Sequence, residues 1–429
     1  MKDLIKQIRV EVADRIAARS RADEEAGRPP MTPKERREYG RQLTTEALDA
    51  HIRRSIDAGR PPLDPVTEAQ IAKAVDNRLF GLAGFQQYLD NLNIENINAN
   101  AFDDVHITYA DGTSEQVGPV AESDEDLAET IRTVAALLGV GERRFDPGSP
   151  MLEMELPDGA RLVATMAISR QTAASIRRHR FPDATMNDLY KTGTFDRQLQ
   201  GFLSAAVLAR KNIVVVGATG GGKTTLVRAM ASVLPRDERI ITVEHQFELG
   251  LDRDKQAHSN VLAFQARKSN IEGQGAVTLP ELVRIALGMS PSRVIVGEVK
   301  GDEIIPMLNA MTQGNDGSLS TVHASSSDGA FKRLSSFAMQ APERLSAEAA
   351  AMLISEALHF VVYLTLTRDG IRVVSSVREI VGCDGINVIS NEIYAPGPDR
   401  RAIRNHPLRT ETLDEFEAAG LNVDEWLAS

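Results

Sequence analysis

The stretch Ile213-Val214-Val215-Val216-Gly217-Ala218-Thr219-Gly220-Gly221-Gly222-Lys223-Thr224 couples an apolar run to a glycine-rich octet that closes on Lys-Thr. Residues 217–224 have the full spacing of a phosphate-binding loop. Both flanks agree with that reading. Residues 213–216 have the pattern of a buried strand, and Leu226, Met230, Val233 and Leu234 fall on one face of a following helix. Gly217, Gly220, Gly221 and Gly222 let successive backbone amides turn inward around phosphate oxygens, and the helix start adds its positive end. On this reading Lys223 is expected to bridge the β- and γ-phosphates of ATP, and the Thr224 hydroxyl to ligate Mg²⁺. Thr219 and Thr225 complete the set of loop residues expected to bind nucleotide.

Three more strands each end in a polar residue suited to phosphoryl chemistry. Ile240 to Val243 delivers Glu244, Val294 to Gly297 delivers Glu298, and Leu319 to Val322 delivers His323. Ligands of parallel α/β sheets lie beyond the carboxyl ends of the strands, so Lys223, Glu244, Glu298 and His323 are expected at one edge. Each has a plainer alternative. Glu298 either orders the attacking water or pairs with Lys300 or Arg293 as a strand-end carboxylate. Glu244 and Glu248 either contact Mg²⁺ and water or are solvated loop acids. His323 either joins the site or is a satisfied structural histidine. Arg177, Arg178 and Arg180 either form a surface charge cluster or offer guanidinium groups to the γ-phosphate across an interface.

Outward from the loop, repeated strand–turn–helix patterns over about 184–390 indicate a parallel α/β domain, closed by a hairpin around Asp369-Gly370. Residues 61–183 read as a smaller mixed α+β domain. It has a strand over 104–109, a turn at Asp111-Gly112, a helix through Leu127, Ile131 and Val134 that stops at Gly139, and a strand from Arg161. Residues 1–60 read as a helical extension, with Leu4, Ile8, Val12 and Ile16 recurring every four positions and a similar stripe from Leu43 to Ile56. Residues 391–429 read as a polar tail with one short helix over 414–419.

The chain has 429 residues, 42% hydrophobic and 25% charged, which suits two or three folded domains. One cysteine, Cys383, excludes a disulfide framework and a cysteine-cluster metal site. A net charge of −11 with 5% aromatic residues argues against a nucleic-acid coat. The charge is uneven: residues 1–60 hold 14 Lys and Arg against 11 Asp and Glu, leaving 35 against 49 in the remainder. No apolar run approaches the roughly 20 residues of a membrane span. The expectation is a cytoplasmic protein without membrane insertion.

At SIRRHR (175–180), GATGGGKTTL (217–226), ITVEHQFELGL (241–251), VTLPELVRIALGMSPSRVIVGEVKGDE (277–303) and GNDGSLSTVHA (314–324), the sequence resembles the bacterial type II/type IV secretion ATPases. It looks closest to the branch that drives tight-adherence (Flp-type) pili. The resemblance implies a two-domain subunit in a homohexameric ring, with ATP and Mg²⁺ held between an N-terminal domain and a RecA-like C-terminal domain. By the family pattern Lys223 and Thr224 form the Walker A site, and Glu298 is the catalytic carboxylate. Glu244 and Glu248 fall in the acidic box, His323 in the histidine box, and Arg177 and Arg178 in the arginine pair; Glu244 also falls to the metal. The implied partners are inner-membrane platform proteins of a pilus or secretion machine, with no nucleic acid. The sequence departs from the family at His245, where an aspartate is common, at Asn315, where a histidine is frequent, and at Gly221, where serine is usual. The implied function is a motor. A nucleic-acid translocase and a weakly hydrolysing nucleotide-gated scaffold are its competitors.

Overall fold

Prolines and side-chain caps lay out the first helices: α1 (Lys2–Glu25), α2 (Pro33–Asp57) and α3 (Pro65–Phe80). Before α2 the Glu35 amide donates to the Thr32 hydroxyl while Glu35 accepts from the Thr32 amide at 2.8 Å. Before α3 the Asp64 carboxylate accepts from the amides of Val66 and Thr67, both at 3.0 Å. Pro33 and Pro65 occupy first-turn positions, where a missing N–H costs nothing. The computed structural model describes residues 1–138, 144–178, 183–267, 269, 273–423 and 426. The chain forms two units, Met1–Arg180 and Phe181–Ser429.

In the first unit, Ile5, Ile8, Val12 and Ile16 of α1 are buried with Leu43, Ala47 and Leu48 of α2 and with Ile71 and Val75 of α3. The helix α3 lies past residue 60, where the sequence reading ended the helical extension, yet its apolar face completes this bundle. The stripe on α2 outruns its partners, and Ile56 is 56% exposed. After α4 (Gln86–Leu89) comes an antiparallel sheet of β1 (Ile94–Ala99), β2 (Val105–Tyr109), β3 (Ser114–Val117), β4 (Met151–Glu155), β5 (Arg161–Thr165) and β6 (Ala173–Arg177), in the order β3-β2-β1-β6-β5-β4. The helix α5 (Asp124–Leu137) buries Leu127, Ile131 and Val134 with Ile97, Ile107, Leu162 and Ile176 of this sheet. Gly139, His179 and Arg180 lie outside the described residues.

The second unit opens with α6 (Met186–Lys191) and α7 (Arg197–Leu208). It continues through β7 (Ile213–Gly217), α8 (Lys223–Ala231), β8 (Ile240–Glu244), β9 (Val261–Gln265), α9 (Leu279–Leu287), β10 (Arg293–Val299), α10 (Ile304–Thr312) and β11 (Leu319–His323). It ends with α11 (Ser327–Gln340), α12 (Ala347–Ala357), β12 (Phe360–Leu366), β13 (Arg372–Asp384), β14 (Asn387–Pro396), β15 (Ala402–Arg404) and α13 (Thr410–Ala418). The sheet order is β15-β14-β13-β12-β7-β11-β10-β8-β9. From β12 to β9 all pairings are parallel, and β13, β14 and β15 add antiparallel strands.

Helices cover both faces of the parallel part, which is why its strands read as unbroken apolar runs. Ile213 and Val215 face one core with Phe202 and Met230, while Val214 and Val216 face the other with Ile304 and Leu334. The four apolar residues of β7, Ile213 to Val216, are fully buried, each stabilising the fold by about 1.5–3 kcal/mol.

The stretch after residue 390 is not a loose tail. The strand β14 stays paired to Pro396, and Tyr394, Phe416 and Trp426 join an aromatic cluster around Phe202 and Phe360. Ring centroids of Phe202 and Phe416 are 5.4 Å apart, and those of Phe202 and Trp426 are 6.0 Å apart. These apolar residues are scattered among prolines and arginines, so no local period announces their burial.

At the amino ends of the strands, buried Asn212 ties three connections together. Its Oδ1 accepts from the amides of Gly317 (2.9 Å) and Ser318 (3.0 Å), and its Nδ2 donates to the carbonyls of Met311 and Ala357. Its amide donates to Nδ1 of His359 at 3.0 Å. Arg293, 2% exposed, donates to the carbonyls of Val207 and Gly317 and pairs with Glu238 at 2.8 Å. Gly317, at φ 89°, has no room for a side chain, since a Cβ there would lie 2.1 Å from Arg293 Nη1.

Burial, and next the nearby Lys211, push the His359 imidazole down from 6.5 to about 4. The unfolded imidazole therefore takes a proton that the folded one refuses. Stability is full above pH 6.5 and declines as pH falls toward 4. His359→Gln is expected to remove that part of the pH dependence when denaturant midpoints are compared on either side of this window. An unchanged pH profile would contradict the assignment.

Candidate functional site

The loop after β7 passes through Gly220 (φ 72°) and Gly222 (φ 90°) into α8. The amide of Gly221 donates to the Ala218 carbonyl at 3.1 Å, closing a tight turn. Lys223 is 7% exposed, and its ammonium donates to the carbonyls of Gly217 (3.3 Å) and Ala218 (3.1 Å) and to Nδ1 of His323 (3.1 Å). Parallel pairing sets His323 directly beside Gly217.

The next strand completes the chain of contacts. Between Val296 and Val299 the register of β10 against β11 shifts, and Thr321 Oγ1 donates to the Gly297 carbonyl at 2.7 Å. Glu298, which follows, meets Nε2 of His323 through Oε1 and Lys300 Nζ through Oε2, the latter at 2.6 Å. Burial, then the neighbouring Lys223, hold the His323 imidazole below its ordinary range, with Glu298 pulling the other way. A neutral ring with its proton on Nε2 satisfies both contacts: Nδ1 accepts from Lys223 and Nε2 donates to Glu298.

A second group of contacts fixes the turn after β8. Glu244 Oε2 accepts from the amides of Glu248 (2.8 Å) and Leu249 (2.9 Å). Arg228, one helical turn beyond Thr224 on α8, donates to the carbonyls of the same two residues. The turn is thus gripped through both its donors and its acceptors, and it presents Glu248 Oε2 to the Thr224 hydroxyl at 3.4 Å. Glu244 Oε1 is buried with no hydrogen-bond partner among the described residues. Burial pushes the Glu244 carboxyl up to about 7, against the opposing pull of the two amides. Glu244 is thus a buried acid rather than a solvated one.

Lys223, Thr224, Glu244, Glu248, Glu298 and His323 therefore come together at the carboxyl edge of one sheet. Of the two pairings offered for Glu298, the one with Lys300 is present, and Arg293 pairs with Glu238 instead. Thr219 is exposed and Thr225 half-buried beside the loop. His245 is exposed at the start of the gripped turn. Asn315 does not join the group, because its loop precedes β11 and lies at the opposite edge, where its carbonyl accepts from Ser318 Oγ at 2.9 Å. Arg177 and Arg178 belong to the first unit. Arg177 ends β6 with an exposed side chain, whereas Arg178 donates to the carbonyls of Leu89 and Asn91. Sequence reasoning missed Arg228, whose signal was its four-residue spacing from Thr224. It also missed Arg372, whose Nε donates to the Gly220 carbonyl at 2.9 Å.

This geometry agrees with the family match. The chain belongs to the Type II/IV secretion system protein family, matched over residues 81–387. It is 33% identical over 222 residues to a putative conjugal transfer protein of Mycobacterium tuberculosis, a match covering 50% of this chain and 61% of that protein. It is 36% identical over 234 residues to the type IV secretion system protein PtlH of Bordetella pertussis, covering 51% of this chain and 65% of PtlH. The chain thus spans less than two thirds of the length of these curated relatives. Among solved structures, the VirB11 ATPase of the Brucella suis type IV secretion system is similar at 25% identity, covering 73% of this chain and 96% of that one, with a TM-score of 0.38. Among the described residues no helix is long and apolar enough to cross a membrane.

Replacing Glu244 by Ala leaves the two turn amides without their acceptor. It is expected to lower unfolding stability by about 2–4 kcal/mol, while Glu244→Gln, which keeps an acceptor oxygen, loses much less. Denaturant titration checks this, and an Ala variant as stable as the parent would rule out the grip on the turn.

Proposed function

We propose that this family member is an ATP hydrolase whose RecA-like second unit powers pilus assembly or protein secretion across the bacterial envelope. The observation that carries this reading is the unbroken chain of contacts Lys223–His323–Glu298 around a complete phosphate-binding loop, with Thr224 facing Glu248 beside it. Gly217, Thr219, Gly220, Gly221, Gly222, Lys223, Thr224 and Thr225 bind the nucleotide phosphates. Thr224, Glu248 and Glu244, whose Oε1 has no hydrogen-bond partner among the described residues, form an all-oxygen set that fits Mg²⁺, and these residues would hold it. When bound, that ion neutralises charge on the β- and γ-phosphate oxygens.

The remaining work falls to side chains. Glu298 orients the attacking water and accepts its proton, and His323 holds the Glu298 carboxylate in place. Arg177 and Arg178 supply positive charge to the γ-phosphate. In this reading the subunit works as a homohexamer of the tight-adherence (Flp) pilus type. Its N-terminal part, residues 1–183, moves against the ATPase domain that starts at 184, and residues 391–429 belong with the latter. The ring sits at the cytoplasmic face of the inner membrane, held by platform proteins, with no nucleic acid as cargo. The Type II/IV family membership supports the secretion class, and the sequence resemblance supports the pilus branch.

Glu298→Gln is expected to retain ATP binding and lose hydrolysis by about 10²–10⁴-fold, the usual worth of a general base. A variant that still turns over at the parental rate would overturn its role. Lys223→Ala is expected to weaken nucleotide binding itself by at least about tenfold. Equal affinities, read by titration of a fluorescent ADP analogue, would remove the loop from the reading.

A further inference from the structure

Resting on the reading of residues 217–224 as a nucleotide site, we propose that Arg372 is a positioning residue that holds the loop in its phosphate-accepting form. Three placements lead to it. Strand β12 pairs in parallel with β7, with Leu364 opposite Gly217, so the hairpin that follows runs past the end of β7 alongside the loop. That hairpin turns tightly: the Thr367 amide donates to the Ile371 carbonyl at 2.8 Å, and the Ile371 amide donates to Thr367 Oγ1 at 3.0 Å. Its return strand begins at Arg372, opposite Leu366. Arg372 Nε then donates to the Gly220 carbonyl at 2.9 Å, and its stem crosses Gly222, where an added Cβ would lie 3.2 Å from Arg372 Cδ.

The bond matters because of what it holds. The Gly220 carbonyl and the Gly221 amide belong to one planar peptide and point in opposite directions. Arg372 takes the carbonyl, and the Ala218 carbonyl takes the amide, so this plane is fixed at both ends. It sits in a run of three glycines, where a peptide flip meets almost no steric resistance. A flipped plane would aim the Gly220 carbonyl at the Ala218 carbonyl, where two acceptors repel, and would open the turn that shapes the loop around its ligand. Ordering this run before the ligand arrives spares the binding step that entropy.

Side-chain length supplies a clean test. Glutamine carries its Nε2 the same number of bonds from the backbone as the Nε of arginine, and methionine puts a methyl group there. In the full-length protein, Arg372→Met is expected to bind the fluorescent ADP analogue about five- to tenfold more weakly, the worth of one such bond, with Arg372→Gln recovering most of that loss. Melting temperatures without nucleotide are read alongside, and Arg372→Ala takes the place of the Met variant if that one does not fold. Parental affinity in the donor-less variant overturns the proposal. A Gln variant as weak as Met overturns it too, because the charge and not the donor would then be at work. Lys223→Ala run beside them separates the two failures. If Lys223→Ala alone weakens binding, the loop reading stands and the role of Arg372 falls; if neither variant weakens it, the loop reading itself falls.

Discussion

Parallel pairing of β7 with β11 is the constraint on which the rest of the second unit depends. Its register puts His323 beside Gly217, and the neighbouring pairings carry the ends of β10 and β8 to the same edge. A slip of one residue would reverse the alternation of Ile213 to Val216 between the two cores and break both at once. The register is therefore held by packing on both faces. The Asn212 and Arg293 knots at the amino edge hold it again, by satisfying the loops that feed each strand. The side chains gathered at one edge are kept in line by buried polar groups at the other.

Much of this was legible in the sequence, for physical reasons. Buried parallel strands write themselves as short apolar runs, so 213–216, 240–243, 294–296 and 319–322 could be read with the polar residue that each delivers. The loop at 217–224 was legible because its tight turn and positive backbone angles restrict residue type at each step. What stayed hidden depended on contacts distant in the chain. Whether Glu244 is solvated or buried turns on how α8 and the 248–249 turn close around it, and nothing in its own neighbourhood says so. Asn315 sits four residues before a site strand in sequence but across the sheet in space, because the strand itself separates the two. Arg372 reaches the loop only through the strand order, and the aromatic residues from Tyr394 to Trp426 carry no period at all.

The site is also economical with its buried charges. The Lys223 ammonium, nearly closed off from water, never lacks an acceptor: two loop carbonyls and His323 serve it in this structure. Phosphate oxygens arriving at the loop would compete for the same protons. Any ligand that draws Lys223 away from His323 also changes what the imidazole offers to Glu298 on its other side.

The aromatic cluster has a bearing on how the chain is made. Phe202 belongs to the helix that precedes β7, yet its ring partners Phe360, Tyr394, Phe416 and Trp426 are synthesised long after it. The first unit, with cores of its own, can fold while the rest is still on the ribosome. The aromatic cluster of the second is complete only once Trp426 has emerged. The loop at 217–224 likewise waits for β11 and β12, the strands that flank β7, which are made about a hundred to a hundred and fifty residues later.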